Sequence, residues 1–308
     1  MEQALRQSII RTLCYFDQFS HPLTAWELYH FLWQPPRSFS YIDFVNQLDN
    51  YPDQAWEKTN GYYHCSRRAS IVEIRRRRLL WTEKKMSIAR RATRVISFIP
   101  FVEAIFVCNT VAAGWPSKES DIDVFIIIRE GRLWFTRFLI TGFISIANLR
   151  RRGQQVTDCI CLSFYVTNKH LTITSIRITE PDIYLVYWIH QLVPVYDPKN
   201  ISTQFLRDNE WTREYVPFCP FEKEALSESL VKNSYVMQKM KEMITWFWSG
   251  QCGNWLEQWA RVWQRQRIDR QHHAPEPAVV VSDTMLKFHE EDRRLSYQEE
   301  WQARSHRL

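Results

Sequence analysis

Apolar and polar residues alternate at helical spacing through the first fifty residues, and polar breaks separate the segments. Apolar positions recur every three or four residues over 4–16, which predicts a first helix. Thr24, with a glutamate three residues on, and Ser40 can each cap a further helix. Asn60-Gly61 then separates two short strand-like runs, a strong hairpin signal. Three helices and a hairpin form the order of a winged helix-turn-helix, which we predict for residues 1–66.

The composition of the third predicted helix indicates whether this N-terminal unit binds DNA. Its sequence, SYIDFVNQLDN, contains no lysine or arginine and carries Asp43 and Asp49. A helix that enters a DNA groove normally meets phosphates with basic side chains. DNA binding by the unit is therefore an alternative that the sequence does not favour, and a structural or protein-contact role is expected.

A strongly basic segment follows, RRASIVEIRRRRLLWTEKKMSIARRATR, with apolar residues interspersed at helical spacing. We predict a linker helix over 67–98. A charge run of this kind is usually a solvated face. A phosphate-binding surface beside an active site is the alternative.

The middle of the chain alternates apolar strand-like runs with apolar helical runs, which predicts an α+β core over 99–200. Strands are predicted over 101–108, 122–128 and 156–166, and helices over 131–148 and 181–193.

The most apolar helical run, Leu133 to Leu149, could also be a membrane span. It is about the shortest length that crosses a bilayer, and Arg137 lies within it. We therefore expect a buried helix that packs on a sheet, and no membrane location. A peripheral contact through this helix and the three arginines that follow it remains an alternative.

Beyond residue 200 the pattern is helical, so residues 201–308 are predicted to form an all-helical C-terminal region. Helices are expected over 205–215 and 222–248, and 255–267 is aromatic and basic. His272-His273 is expected in a loop. Five tryptophans recur near helical spacing, and we expect them to pack in the core, with a base-stacking platform as the alternative. They are Trp246, Trp248, Trp255, Trp259 and Trp263.

Composition narrows the classes of function. The chain has 308 residues and a net charge of +6, which is compatible with anionic partners but not diagnostic. Seven glycines are too few for a glycine-rich phosphate loop, and no GxSxG, HExxH or P-loop motif occurs. Seven cysteines without a CxxC pair predict a reducing cytoplasm without a disulfide or zinc framework. The N-terminus does not have the pattern of a signal peptide.

The segment 107–128, VCNTVAAGWPSKESDIDVFIII, carries the candidate chemistry. Asp121 and Asp123 begin a run that otherwise has the composition of a buried strand. Residues two apart in a strand point to the same face, so their carboxylates repel each other unless a cation lies between them. Oxygen ligands in this arrangement suit Mg²⁺. The alternative is a capped turn that leads into the strand.

A third carboxylate is expected on a neighbouring strand, and Asp158 is the candidate, because it precedes the apolar run CICLSFYV. Three carboxylates could hold two metal ions roughly 4 Å apart for an in-line displacement at phosphorus. One ion would activate the attacking hydroxyl, and the other would hold the triphosphate.

These residues resemble the signature of the DNA polymerase beta-type nucleotidyltransferase superfamily. That signature is an apolar strand, Gly-Ser, a short helix and Asp-x-Asp opening the next strand, with a third Asp on a later strand. The resemblance implies that Asp121 and Asp123 bind both metal ions, and that Asp158 completes one site and helps to deprotonate the acceptor. The layout of residues 1 to about 300 is also similar to that of uncharacterised bacterial nucleotidyltransferase-domain proteins.

One departure concerns the nucleotide side of the site, for which the resemblance implies Asn109, Thr110 and Ser120. Asn109-Thr110 replaces the Gly-Ser of the superfamily. Thr110 keeps a hydroxyl, and Asn109 tolerates unusual backbone angles, but its side chain takes room where glycine lets the backbone approach the triphosphate. Nucleotide binding could therefore be weakened, shifted or lost.

The fold class predicted is thus α+β, with a nucleotidyltransferase-fold mixed sheet between the N-terminal winged-helix-like unit and the helical C-terminal region. The expected function is Mg²⁺-dependent transfer of a nucleoside monophosphate from an NTP, with two ions and with Mn²⁺ as a substitute. The acceptor hydroxyl could belong to a small molecule, a protein or an RNA end. The alternative is a catalytically degenerate fold that binds nucleotide, DNA or protein.

Overall fold

A computed structural model describes residues 2–36, 38–51, 53–149, 157–220, 230–271, 278–288 and 292–307. Within these ranges the chain is a mixed α+β fold with two sheets. The helices are α1 (Gln3–Gln18), α2 (Ala25–His30), α3 (Tyr41–Asn50), α4 (Ile71–Ile96), α5 (Asn109–Ala112), α6 (Leu133–Ile146), α7 (Ile183–Gln191), α8 (Ile201–Asp208), α9 (Tyr235–Phe247), α10 (Gln251–Gln271) and α11 (Arg294–Arg307). The strands are β1 (Leu23–Thr24), β2 (Trp56–Thr59), β3 (Tyr62–Cys65), β4 (Val102–Val107), β5 (Ile122–Ile128), β6 (Ile160–Thr167), β7 (Val193–Tyr196), β8 (Val279–Val281) and β9 (Met285–Phe288).

The N-terminal elements come in the order that the sequence predicts. Thr24 caps α2 in a capping box: its hydroxyl accepts from the Glu27 amide at 3.2 Å, and its own amide donates to the Glu27 carboxylate at 2.8 Å. Asn60 and Gly61 both have positive φ, at 50° and 84°, as a two-residue hairpin turn requires. The predicted hairpin is confirmed as β2–β3, and β1 pairs with β3 to give a small antiparallel sheet.

The larger sheet has six strands in the order β7-β4-β5-β6-β9-β8, with β5 and β6 parallel and the other pairs antiparallel. Strand β5 is central and almost fully buried, because helices cover both of its faces. Ile122, Val124 and Ile126 point to the face that α4 and α6 cover. Phe125 and Ile127 point to the opposite face, which α7 and α8 cover.

The basic segment forms the helix α4, as predicted, and it joins the two sheets. Its first half is fixed to the N-terminal elements, because Arg75 donates to the Pro22 carbonyl at 2.5 Å and pairs with Glu27 at 2.6 Å. Ala89 and Ile96 in its second half pack on the larger sheet.

The C-terminal region is not all-helical, so that prediction is wrong. Strands β8 and β9 form a hairpin that extends the larger sheet beyond β6, with Lys287 opposite Phe164. Strand β7 was also missed, since the helix predicted as far as Val193 ends at Gln191. These strands have only three or four residues each, so their apolar periodicity is weak.

Several remaining predictions fall partly outside the described residues. The helix expected over 222–248 is confirmed as Tyr235–Phe247, whereas residues 221–229 lie outside them. His272-His273 and the start of the strand predicted over 156–166 also lie outside.

The helix expected over 131–148 is confirmed as α6, which packs on the sheet. Among the helices that the structure describes, none has the length and apolar character needed to span a membrane.

The core-packing role expected for the tryptophans is wrong for most of them. Trp246 and Trp255 are 78% and 67% exposed. Helix α10 instead turns polar groups inward, where the Glu257 carboxylate accepts from the amides of Trp134 and Phe135, both at 2.9 Å. Trp255, Trp259 and Trp263 therefore lie on the outer face of α10, while buried Glu257 binds the first turn of α6.

Candidate functional site

Asp121 and Asp123 lie at the head of β5, on the face of the sheet that α7 covers. Asp123 is the one partly exposed position in a strand whose other residues are buried. Hydrogen bonds fix the backbone here: Ile122 donates to the Cys159 carbonyl at 2.8 Å, and Cys108 donates to the Asp123 carbonyl at 3.0 Å. The two carboxylates are thus held on a rigid part of the sheet, as the sequence predicts from their spacing.

Cys161 is the third member of this cluster. In the parallel pair β5–β6 it lies opposite Asp123, and Phe164 lies opposite Phe125. Strand β6 therefore has one more residue than β5 between these two pairs, an irregularity of the kind that re-aims side chains near functional sites. The carboxylate oxygens of Asp121 and Asp123 and the Sγ of Cys161 all lie within 4.8 Å of one another.

The electrostatics of the cluster oppose ionisation of the thiol. Burial, and after it the charges of Asp123 and Asp121, raise the pKa of Cys161 well above the ordinary thiol value. A cation bound among the three groups would reverse this effect, because it would favour every anionic ligand at once.

Asp158, the predicted third carboxylate, is not part of this cluster. It has φ of 60° just before β6, and its carboxylate pairs with Lys84 at 2.6 Å and with Lys85 at 2.8 Å. Burial alone would raise the pKa of Asp158, but the hydrogen bonds and charges of the two lysines outweigh it and lower the pKa. The carboxylate is thus engaged by α4 and does not line the cavity beside Asp121 and Asp123.

The Asp158–Lys85 pair positions the loop that leads to Asp121. The Lys85 side chain is buried, and its ammonium donates to the Ser120 carbonyl at 2.6 Å and to the Lys118 carbonyl at 3.3 Å. The Asp158 amide donates to the same Ser120 carbonyl at 3.2 Å. Lys85, a residue of the basic segment, therefore holds the loop that leads to Asp121 in place.

A cavity of about 280 Å³ opens beside Asp121 and Asp123, and the residues predicted for nucleotide binding line it. Asn109, Thr110 and Ser120 line it together with Asp121 and Asp123. The remaining lining residues are Phe164, Ile176, Tyr184, Leu185, Trp188, Lys287, Asp292, Arg293, Arg294 and Tyr297.

Asn109 begins α5 with φ of 53°, in the left-handed region that glycine and asparagine tolerate. Its side-chain carbonyl accepts from the indole nitrogen of Trp188 at 2.8 Å. The asparagine side chain is thus tied to α7. The backbone at this position has a conformation that glycine adopts with ease.

The opposite side of the cavity combines aromatic and basic groups from α7 and the C-terminal hairpin and helix. Tyr184 and Tyr297 stack with their ring centroids 5.6 Å apart. Arg294 is buried between two carboxylates, at 2.8 Å from Asp182 and 2.6 Å from Asp292. Lys287 pairs with Asp292 at 3.3 Å, and burial lowers its pKa.

The sequence did not predict the residues on this second side of the cavity. The run VVVSDTMLKF carried a usable signal, because two β-prone stretches flank a Ser-Asp turn. Cys161 left no comparable signal, since only the register of β5 against β6 places it opposite Asp123.

The chain was compared with models of known protein families, with curated protein sequences and with solved structures, and none of the three gives a match. The geometry of the site is therefore the basis for any statement about its function.

Proposed function

We propose that the chain binds a nucleoside triphosphate with a divalent cation in this cavity and transfers the nucleoside monophosphate to an acceptor hydroxyl. The observation that carries the proposal is the convergence of two kinds of group on one cavity. Asp121 and Asp123 offer oxygen ligands to a cation, and Arg293 and Lys287 bring positive charge for phosphates.

The residues fit a cation of the Mg²⁺ class in part. Two carboxylates on one face are a common protein contribution to a Mg²⁺ site, which water and phosphate oxygens complete. When bound, such an ion would neutralise charge that develops on the phosphates. The two-ion arrangement of the resembling superfamily has a third carboxylate, and here Asp158 is held by two lysines instead.

The chain's own residues then have distinct tasks. Thr110 and Ser120 offer hydroxyls to phosphate oxygens, and Tyr184 and Tyr297 offer apolar ring surface to a base or sugar. In the transfer, the acceptor oxygen bonds to the α-phosphorus, pyrophosphate leaves, and the hydroxyl proton passes to one of the two carboxylates. A cavity of about 280 Å³ holds part of an NTP and leaves the rest of it at the cavity mouth. The acceptor therefore reaches the α-phosphate from that mouth.

A labelling assay tests this proposal. The protein is incubated with each NTP carrying an α-phosphate label, with Mg²⁺ or Mn²⁺, and with separate pools of small molecules, RNA and protein. We expect the label to enter one pool with the unmodified chain and to stay in the NTP with Asp123→Asn, because that variant removes one carboxylate without changing the shape of the side chain.

A second function is favoured by the position of Asp158, together with Asn109 in place of glycine. The cavity would then bind a nucleotide without transferring it, and the N-terminal elements would contact a protein or DNA partner. In the labelling assay this second function predicts no label in any pool, even at NTP concentrations that saturate binding. Transfer to any pool that requires Asp123 would exclude it.

A further inference from the structure

The third ligand beside Asp121 and Asp123 is a thiol. Cys161 comes from the neighbouring parallel strand, and its sulfur lies within 4.8 Å of both carboxylates. All three side chains are partly exposed, and Asp121 and Asp123 line the cavity, so an ion can reach them. An ion between them would contact two oxygens and one sulfur.

This donor set disagrees with the all-oxygen set that the resemblance implies. Mg²⁺ is a hard cation that prefers six oxygens in a near-ideal octahedron. Thiolate sulfur selects softer ions, and zinc accepts sulfur and oxygen donors in one tetrahedral site. Asp158, which would supply the missing oxygen, is held at α4 by Lys84 and Lys85.

We propose that Asp121, Asp123 and Cys161 form a single mixed oxygen–sulfur site that takes a zinc-class divalent ion in preference to Mg²⁺. On binding, the ion bonds to the sulfur and the thiol proton leaves to solvent. Three protein ligands leave a fourth position of a tetrahedral site open towards the cavity, where water or a phosphate oxygen can enter. The role of that open position rests on the proposed function, whereas the ion site rests on the cluster alone.

The test uses Co²⁺ as a spectroscopic substitute for zinc, with the reduced, metal-free full chain and no nucleotide. A sulfur ligand gives cobalt a charge-transfer band in the near ultraviolet. We expect this band to saturate at one equivalent of Co²⁺. We also expect Zn²⁺ to displace the cobalt, and a thousandfold excess of Mg²⁺ to leave the band in place.

Three variants identify the ligands. Cys161→Ser should abolish the band and weaken Co²⁺ binding at least tenfold. Asp123→Asn should weaken binding to a similar degree while retaining a band at high Co²⁺. Cys252→Ser is the matched control, because Cys252 is the exposed thiol in the described part of the chain and lies on α10. It should bind and absorb like the unmodified protein.

A gain-of-function variant shows whether loss of the band in the other variants comes from loss of a ligand or from loss of folding. Cys161→Asp supplies a third carboxylate, and it should raise Mg²⁺ affinity at least tenfold and remove the band. The proposal is overturned if the unmodified chain gives no band, if Cys161→Ser keeps it, or if Mg²⁺ displaces Co²⁺ at comparable concentration. NTP binding does not enter any of these readouts, so failure of the proposed function and failure of this site are distinguishable.

Discussion

At the scale of single residues, the site consists of side chains whose roles depend on what holds them. Asp121 and Asp123 could be predicted from the sequence, because a period of two fixes their common face. Asp158 could not be placed, since its direction depends on a left-handed backbone and on two lysines far away in the sequence. Cys161 could not be found without the register of two parallel strands.

Asn109 combines an unusual backbone conformation with a side-chain hydrogen bond. Its backbone has positive φ, and its side chain accepts a hydrogen bond from Trp188. Asn109→Gly removes that hydrogen bond, at about 1 kcal/mol, and relieves the left-handed backbone by a similar amount. We therefore expect the free energy of unfolding to change by less than about 1 kcal/mol, and NTP affinity to rise as room opens for the triphosphate.

Asn109→Ala is the control for this prediction, with unfolding followed by chemical denaturation and NTP binding by calorimetry. Alanine loses the same hydrogen bond but keeps a Cβ at positive φ, so it should be about 1 kcal/mol less stable than the glycine variant. Equal stability of the two variants would show that backbone conformation is not the reason for asparagine at this position.

At the scale of elements, the larger part of the fold follows from pattern. The helix caps at Thr24 and Ser40, the Asn-Gly hairpin and the apolar run of β5 are local signals, so they predicted their elements well. Strands β8 and β9 are three and four residues long, and they are held by pairing, β9 with β6 and β8 with β9, rather than by local preference. The sequence carries a turn signal for this hairpin, but it does not show that β9 pairs with β6 and brings Lys287 to the cavity wall.

Arg294 joins the C-terminal helix α11 to α7 through buried ion pairs. Arg294→Ala would leave the carboxylates of Asp182 and Asp292 buried without their guanidinium partner, which costs about 3–5 kcal/mol. We expect that loss in the free energy of unfolding, measured by denaturant titration. Arg307→Ala is the matched control: Arg307 is an exposed arginine on the same helix, and its change should stay within about 0.5 kcal/mol.

The same contact predicts a dependence on pH. Burial alone would raise the pKa of Asp292, but Arg294 outweighs it and lowers the pKa to about 2. A lowered carboxyl pKa contributes stability above its ordinary value of about 3.9, and this stability is lost as the pH falls towards 2. The unmodified chain should therefore lose more stability than Arg294→Ala over this interval. An equal loss in both proteins would contradict the role given to the ion pair.

At the scale of the whole molecule, α11 packs on α1 and also supplies part of the cavity wall. The Trp301 indole on α11 donates to the Arg11 carbonyl on α1 at 2.9 Å, and Arg304 pairs with Asp17. Tyr297 on the same helix stacks on Tyr184 in the cavity wall. The N-terminal elements therefore contact the helix that completes the site.

The central claim is that the cavity binds an NTP through a cation held by Asp121 and Asp123, and calorimetry tests it most directly. Each NTP is titrated, with Mg²⁺, Mn²⁺ or Zn²⁺, into the unmodified chain and into the double variant Asp121→Asn with Asp123→Asn. We predict metal-dependent binding of at least one NTP, lost in the double variant. Absence of binding with every NTP and ion, or equal binding by the double variant, would contradict the account.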